Sequence, residues 1–219
     1  MLLLSDLGPL AQLRAGRLPR RLVQLYAGLV LYGASLAMIV RAGLGAAPWD
    51  VLHLGVTHHV PLSLGQVLIL TSVAVLVLWI PLREVPGLGT VSNAVVIGLA
   101  ADATLSVLGD LDHLVVRLGV MVAAVLLNGV ATAAYIGAQL GRGPRDGLMT
   151  GLHRRTGLSI RLVRTSLEVT VVVIGLLLGG TAGLGTVVYA LAIGPVTQAL
   201  LPIFVVPLTV EQAVSASSR

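Results

Sequence analysis

Long apolar runs, broken by short clusters of Gly, Pro and Arg, fill most of this chain. Six of them reach the roughly 20 residues that a helix needs to cross a bilayer. They fall near 22–43, 64–82, 89–109, 115–138, 162–180 and 186–207, and the third and sixth carry polar residues. Two shorter segments stand apart, one between the first and second runs and one between the fourth and fifth. Each reads Pro-x-Asp, then about ten helix-compatible residues, then Gly or Pro, then Ser. Asp in that place suits an N-cap, accepting from the free N–H groups of a first helical turn. Asp50 and Asp146 are therefore expected to open two short helices, lying in the interface or dipping in as re-entrant half-helices.

The two segments belong to a larger repetition. A shift of 96 residues lays Gly45 on Gly141, Pro48 on Pro144, Asp50 on Asp146 and Ser63 on Ser159. The same shift lays Gly87-Leu88-Gly89-Thr90-Val91 on Gly183-Leu184-Gly185-Thr186-Val187, and Arg21 on Arg117. Each copy holds three long runs. An odd count inserts the second copy upside down, which predicts an inverted-topology repeat about an axis in the membrane plane. The expected fold is all-α: six transmembrane helices in two inverted three-helix repeats, each with a short interfacial or re-entrant helix. The repeats span 22–109 and 115–207, between a basic arm (1–21) and a tail (208–219). The histidines of the first short segment, His53, His58 and His59, have no counterparts in the second, and no metal site is expected from them.

Composition agrees with the pattern. Of 219 residues, 56% are hydrophobic and 11% charged, against roughly 25% charged in a soluble domain, and mean hydropathy is +0.98. Cysteine is absent, which excludes thiolate chemistry and Cys-ligated zinc. All 14 basic residues are arginine. They lie at the ends of apolar runs, without aromatic platforms for bases, so nucleic acid is not an expected partner. The start of the chain does not read as a signal peptide. Arg14, Arg17, Arg20 and Arg21 precede the first run, and Arg142, Arg145, Arg154, Arg155, Arg161 and Arg164 surround the fourth-to-fifth connection. Six spans put both clusters on one side, so both termini are expected in the cytoplasm.

Polar residues inside the runs are the candidates for chemistry, because intramembrane charges normally face protein or water. Thr90, Ala94, Gly98 and Asp102 recur every four residues, as do Thr186, Ala190, Gly194 and Gln198. Each stripe is either a close-packing seam or the wall of a ligand path ending in a polar residue. Asn93, Asn128 and Glu168 join Asp102 and Gln198 as substrate- or ion-path candidates, with Arg164 one turn from Glu168. Asp50, Asp146, Thr90 and Thr186 are gate or helix-cap candidates. Gly33-x-x-x-Ala37 and Gly129-x-x-x-Ala133-x-x-x-Gly137 predict that the first and fourth helices pack closely on each other. Pro195, inside the sixth run, frees the carbonyl of Leu191. Ser63-Leu64-Gly65-Gln66 is a capping box, half lost at Ser159, where Leu162 replaces Gln66.

The segment GRGPRDGLMTGLHRRTGLSIRLVRTSLE (141–168) resembles the signature of the YczE/YitT-like bacterial integral membrane proteins. APWDVLH, PGLGTVSNAVVIGLAADATL and GLGTVVYALAIGP are similar to further motifs of that family. The resemblance covers roughly residues 43–202. It implies a protein of the bacterial cytoplasmic membrane and brings no activity, cofactor or catalytic residue. From the residues alone, a small secondary transporter or permease of unknown substrate is expected. The alternative is a non-transporting scaffold, sensor or binding subunit, with anionic lipid or a cytoplasmic partner at Arg142–Arg164. No paired-acid, Ser/His or metal-ligand constellation supports an enzyme, and no cofactor is expected.

Overall fold

The computed structural model describes residues 7–208; the ends of the arm (1–6) and of the tail (209–219) lie outside the described residues. Nine helices form among those residues: α1 (Pro9–Arg14), α2 (Leu18–Ala42), α3 (Pro48–Thr57), α4 (Leu64–Leu82), α5 (Leu88–Val107), α6 (Leu114–Gly137), α7 (Pro144–Thr156), α8 (Ile160–Leu177) and α9 (Leu184–Phe204). The starts of α2 to α5, at Leu18, Pro48, Leu64 and Leu88, recur 96 residues on as the starts of α6 to α9, at Leu114, Pro144, Ile160 and Leu184. Repeated sequence has become repeated helix starts.

Five helices (α2, α4, α5, α6 and α9) are long and apolar enough to cross a membrane. The remaining expected span, the fifth along the chain, is α8; it has 18 residues and carries Arg161, Arg164 and Glu168 in its first half, which removes it from that set. The first helix starts at Leu18 rather than near 22, so Arg20 and Arg21 lie inside it. Helix α9 runs unbroken through Pro195 and Pro202, because a proline removes a single rung from a helix otherwise held above and below it.

Local boundaries follow local chemistry. Ser63 makes the full capping box on α4: its Oγ accepts from Gln66 N–H at 3.1 Å and Gln66 Oε1 accepts from Ser63 N–H at 3.0 Å. Ser159 keeps half of it, accepting from Leu162 N–H at 3.2 Å. The short helices differ from expectation. Their N-caps are Ala47 and Gly143, Pro48 and Pro144 take the first helical position, and Asp50 and Asp146 fall within the first turn. Proline claims the first position because its fixed φ suits the helix and it has no N–H to lose there. The acid is displaced to where it still meets the positive helix end. Thr90 and Thr186 do cap, accepting from Gly87 N–H at 3.2 Å and Gly183 N–H at 3.1 Å.

Tertiary contacts come in reciprocal pairs. Helices α2 and α6 run antiparallel along the centre. Arg21, at the start of α2, donates to Ala138 O (2.8 Å) and Gln139 O (2.6 Å) at the end of α6. Its counterpart Arg117, at the start of α6, donates to Ala42 O and Gly43 O at the end of α2, both at 2.7 Å. Gly89 N–H donates to Leu140 O, and Gly185 N–H to Leu44 O, again both at 2.7 Å. Two loops make these exchanges possible. In each, a glycine sits at a large positive φ, Gly45 at 115° and Gly141 at 133°. Each also touches the other half: a Cβ on Gly45 would lie 2.5 Å from Gly183 N, and one on Gly141 would lie 2.8 Å from Thr90 Oγ1. Only glycine meets both demands.

The short helices are exchanged too. Helix α3 packs on α8 and α7 on α4, each against the other half. Gly55 lies against the backbone of Gly175, and Gly147 beneath the Trp79 ring, whose Nε1 donates to Pro144 O at 3.0 Å. The small-residue faces of α2 and α6 point differently from expectation. The two helices meet where Gly28 lies against Ala131, Ala134 and Tyr135, while Gly33 faces α5 and Gly129 faces α9. A helix carrying small residues all round offers several faces for close packing, and sequence spacing does not choose among them.

Candidate functional site

The exchange aims the N-terminal ends of α3 and α7 at each other. Asp50 Oδ1, in the first turn of α3, is 3.7 Å from Arg145 Nη2, in the first turn of α7. The Arg145 guanidinium stacks over the Trp49 ring at 5.0 Å. Beside this meeting point lies a cavity of about 330 Å³. The first turns of α3 and α7 supply Pro48, Trp49, Arg145 and Asp146 to its wall; α8 supplies Arg164 and Glu168; α2, α6 and α9 supply Tyr32, Tyr135, Tyr189, Thr132, Thr197 and Gln198. A smaller cavity of about 80 Å³ lies behind Arg145 and Asp146 and reaches Ser72, Asn93 and Gly98 between α4 and α5.

The acids at this centre are partnered. Asp50 is buried and receives His53 Nδ1 at 3.0 Å. Asp146 accepts from Tyr135 OH at 3.2 Å, and Glu168 accepts from Arg164 Nε at 2.8 Å. Asn128 is buried at the crossing of α2, α6 and α9. It donates to Ser35 Oγ at 2.8 Å and accepts from Tyr189 OH at 3.0 Å, so it holds Tyr189 at the cavity wall. The Tyr32 and Tyr135 rings meet edge to face, with centroids 6.1 Å apart.

Of the path candidates, Glu168 and Gln198 line the larger cavity, Asn93 lines the smaller and Asn128 stands behind the wall. Asp102 lines neither. Its carboxylate bridges α5 to the start of α4, accepting from Gly65 N–H at 2.8 Å and from Ser63 Oγ–H. Arg145 and the three tyrosines were not among the path or gate candidates. Arg145 was one arginine of a basic cluster, and the tyrosines share no motif. The available signal was the shift that lays Trp49 on Arg145, the two residues that stack here.

The seam that Asp102 holds has a counterpart that is open. Helices α4 and α5 touch through Gly65 and Gly98: a Cβ on Gly98 would lie 2.5 Å from Gly65 O. In the second half, Arg161 stands for Gly65, Gly194 for Gly98 and Gln198 for Asp102. Helices α8 and α9 share no comparable interface among the described residues. No described atom would lie within 4 Å of a Cβ on Gly194, and Gln198 is exposed at the cavity. A side chain as large as Arg161 prevents the backbone contact that two glycines allow.

A cavity with charged and polar residues in its wall lies inside a surface of exposed Leu, Val and Ile, among them Leu70, Ile80, Val107, Leu126, Leu177 and Leu191. Water would not tolerate so large an apolar surface and lipid would. The fold is that of an all-α membrane protein. The chain belongs to a family of unknown function, DUF6198, whose match spans residues 19–202. It is 43% identical over 175 residues to an uncharacterized protein of Haemophilus influenzae, covering 80% of each chain. It is 33% identical over 181 residues to the uncharacterized membrane protein YczE of Bacillus subtilis, covering 81% of this chain and 83% of that one. It is 25% identical over 180 residues to the uncharacterized protein YyaS of the same organism, covering 80% and 90%. No solved structure matches.

Proposed function

We propose that this protein is a small secondary transporter of the bacterial cytoplasmic membrane, built as two inverted repeats of three spans, with both termini in the cytoplasm. The pair of unequal seams carries the reading. Equivalent helix pairs, α4–α5 and α8–α9, flank the cavities, one closed by Gly65, Gly98 and Asp102 and the other open. An inverted pair with one gate shut and one open is the arrangement that alternating access requires. Helix α8 counts as a span because it is the partner of α4 in the repeat and pairs its Glu168 internally with Arg164. The partnered acids point to binding and passage rather than catalysis. On the proposed cytoplasmic face, Arg83, Arg154 and Arg155 line a groove beside Glu84 and suit anionic headgroups.

Two measurements bear on this. The chain has no cysteine, so single cysteines report without background. Ser72→Cys, behind the closed seam, is expected to react slowly with a membrane-impermeant thiol reagent, and at least tenfold faster when combined with Asp102→Ala. Flux in proteoliposomes should change in the same Asp102→Ala protein. Unchanged labelling together with unchanged flux would mean that the seam is structural and would favour a non-transporting scaffold. For topology, a reporter fused after Arg219 is expected to read out in the cytoplasm, and one inserted after Asp110 outside. An extracytoplasmic C-terminus would remove the inverted repeat.

A further inference from the structure

We infer that the cavity between α7, α8 and α9 binds an oxyanion, a carboxylate or phosphate group, through the Arg145 guanidinium. The inference deepens the transport reading and rests on it for the cavity's purpose, but binding is measurable without transport. The deciding observation is which charges are already satisfied. Asp50 has His53, Asp146 has Tyr135 and Glu168 has Arg164, each within 3.2 Å. Arg145 has no such partner. Among the described residues, its closest acidic oxygen is Asp50 Oδ1 at 3.7 Å, beyond hydrogen-bond length, and its other contact is the face of Trp49.

A guanidinium presents five N–H donors in a planar fork that matches carboxylate and phosphate. Here the ring of Trp49 fixes the plane of that fork at the cavity wall. Thr132 and Thr197 line the same cavity, and their hydroxyls, covered in this arrangement, make no hydrogen bond among the described residues. Arg145 also stands in the first turn of α7, opposite the first turn of α3, so two positive helix ends add to its field. Each acid at the centre already accepts a hydrogen bond, whereas the Arg145 guanidinium, 3.7 Å from Asp50, donates none among the described residues. The volume of about 330 Å³ admits a small metabolite or one headgroup. The oxyanion has two sources: a soluble carboxylate or phosphate, or an anionic lipid headgroup entering between α8 and α9.

The test uses the full chain in nanodiscs, with tryptophan fluorescence as readout, since Trp49 lies against Arg145. Saturable quenching by succinate or inorganic phosphate in phosphatidylcholine discs is expected if the ligand is soluble. A shift that appears only when phosphatidylglycerol replaces phosphatidylcholine is expected if it is a headgroup. Either response must vanish in Trp49→Phe and in Arg145→Ala, and weaken at least tenfold in Arg145→Lys, which keeps the charge and loses the fork. Size exclusion and circular dichroism confirm that each variant is folded. No response in any arm overturns the inference, as does a response that survives Arg145→Ala. Flux of a cationic solute without oxyanion binding sinks the oxyanion and spares transport; oxyanion binding without flux of the bound solute does the reverse.

Discussion

Gly33→Leu is expected to leave helices that form and insert but do not assemble. A Cβ at Gly33 would lie 2.5 Å from Ile97 O, 2.7 Å from Ala100 Cβ and 2.9 Å from Ala101 N. Two of the three are backbone atoms of α5, which no rotamer change can move away. Helices α2 and α5 would have to separate, although α2 is also fixed against α6. Helix association in lipid depends on close packing rather than on expulsion of water, so lost contact is not recovered elsewhere. Overpacking costs about 1–3 kcal/mol when side chains can yield, and more is expected here. The readout is retained helical circular dichroism with loss of the monodisperse peak in detergent. Gly119→Leu is the control, because no described atom lies within 4 Å of its Cβ position. A monodisperse Gly33→Leu protein would show that the α2–α5 contact is dispensable.

Arg21→Ala is expected to cost about 3–5 kcal/mol, as two or three hydrogen bonds from a charged donor are lost at about 1.5–3 kcal/mol each, with partial recovery. Arg21 is fully buried and holds Ala138 O, Gln139 O and, at 2.5 Å, Gln12 O. The first two end α6, where the last carbonyls have no partner within the helix. Arg21 therefore closes α6 and ties down the loop that leads to Gly141 and the start of α7. Arg21→Lys should rescue little, since one ammonium nitrogen cannot stand at the three places where Nε, Nη1 and Nη2 each meet a different carbonyl. The counterpart Arg117 makes two such bonds from a partly exposed position, and Arg117→Ala should cost about half as much, because water replaces what is lost. Thermal unfolding in detergent measures both. Equal losses at the two sites would show that burial does not set the difference.

The residues that ended up central were legible to different degrees. Glu168 and Gln198 could be found because a polar group within an apolar run needs a reason. Asp102 stood out for the same reason, yet it serves the seam between α4 and α5 and not the cavity. Its stripe of Ala94 and Gly98 fits a seam or a ligand wall equally well, and the choice depends on where Gly65 lies across the gap. Arg145 differs from Arg142 in sequence only in falling on Trp49 under the 96-residue shift. Its place over Trp49, with Asp50 at 3.7 Å, exists only once α3 and α7 are set end to end.

The chain by itself determined the positions of its helices and their duplication. Span lengths follow from the cost of unpaired backbone in lipid, and the capping residues Ser63, Ser159, Thr90 and Thr186 act within four residues of themselves. Both are local effects, written where they operate. Only the tertiary structure decided which faces meet. Lipid is as apolar as the helix surfaces it touches, so a membrane helix carries no clear stripe to mark its inner side. The crossing of α3 onto α8 and α7 onto α4, the placing of Arg145 over Trp49, and the closure of one seam but not the other depend on backbone approach between segments far apart in sequence. Two replacements at that seam, Arg161 where the first half has Gly65 and Gln198 where it has Asp102, then separate two halves whose helix starts recur in register.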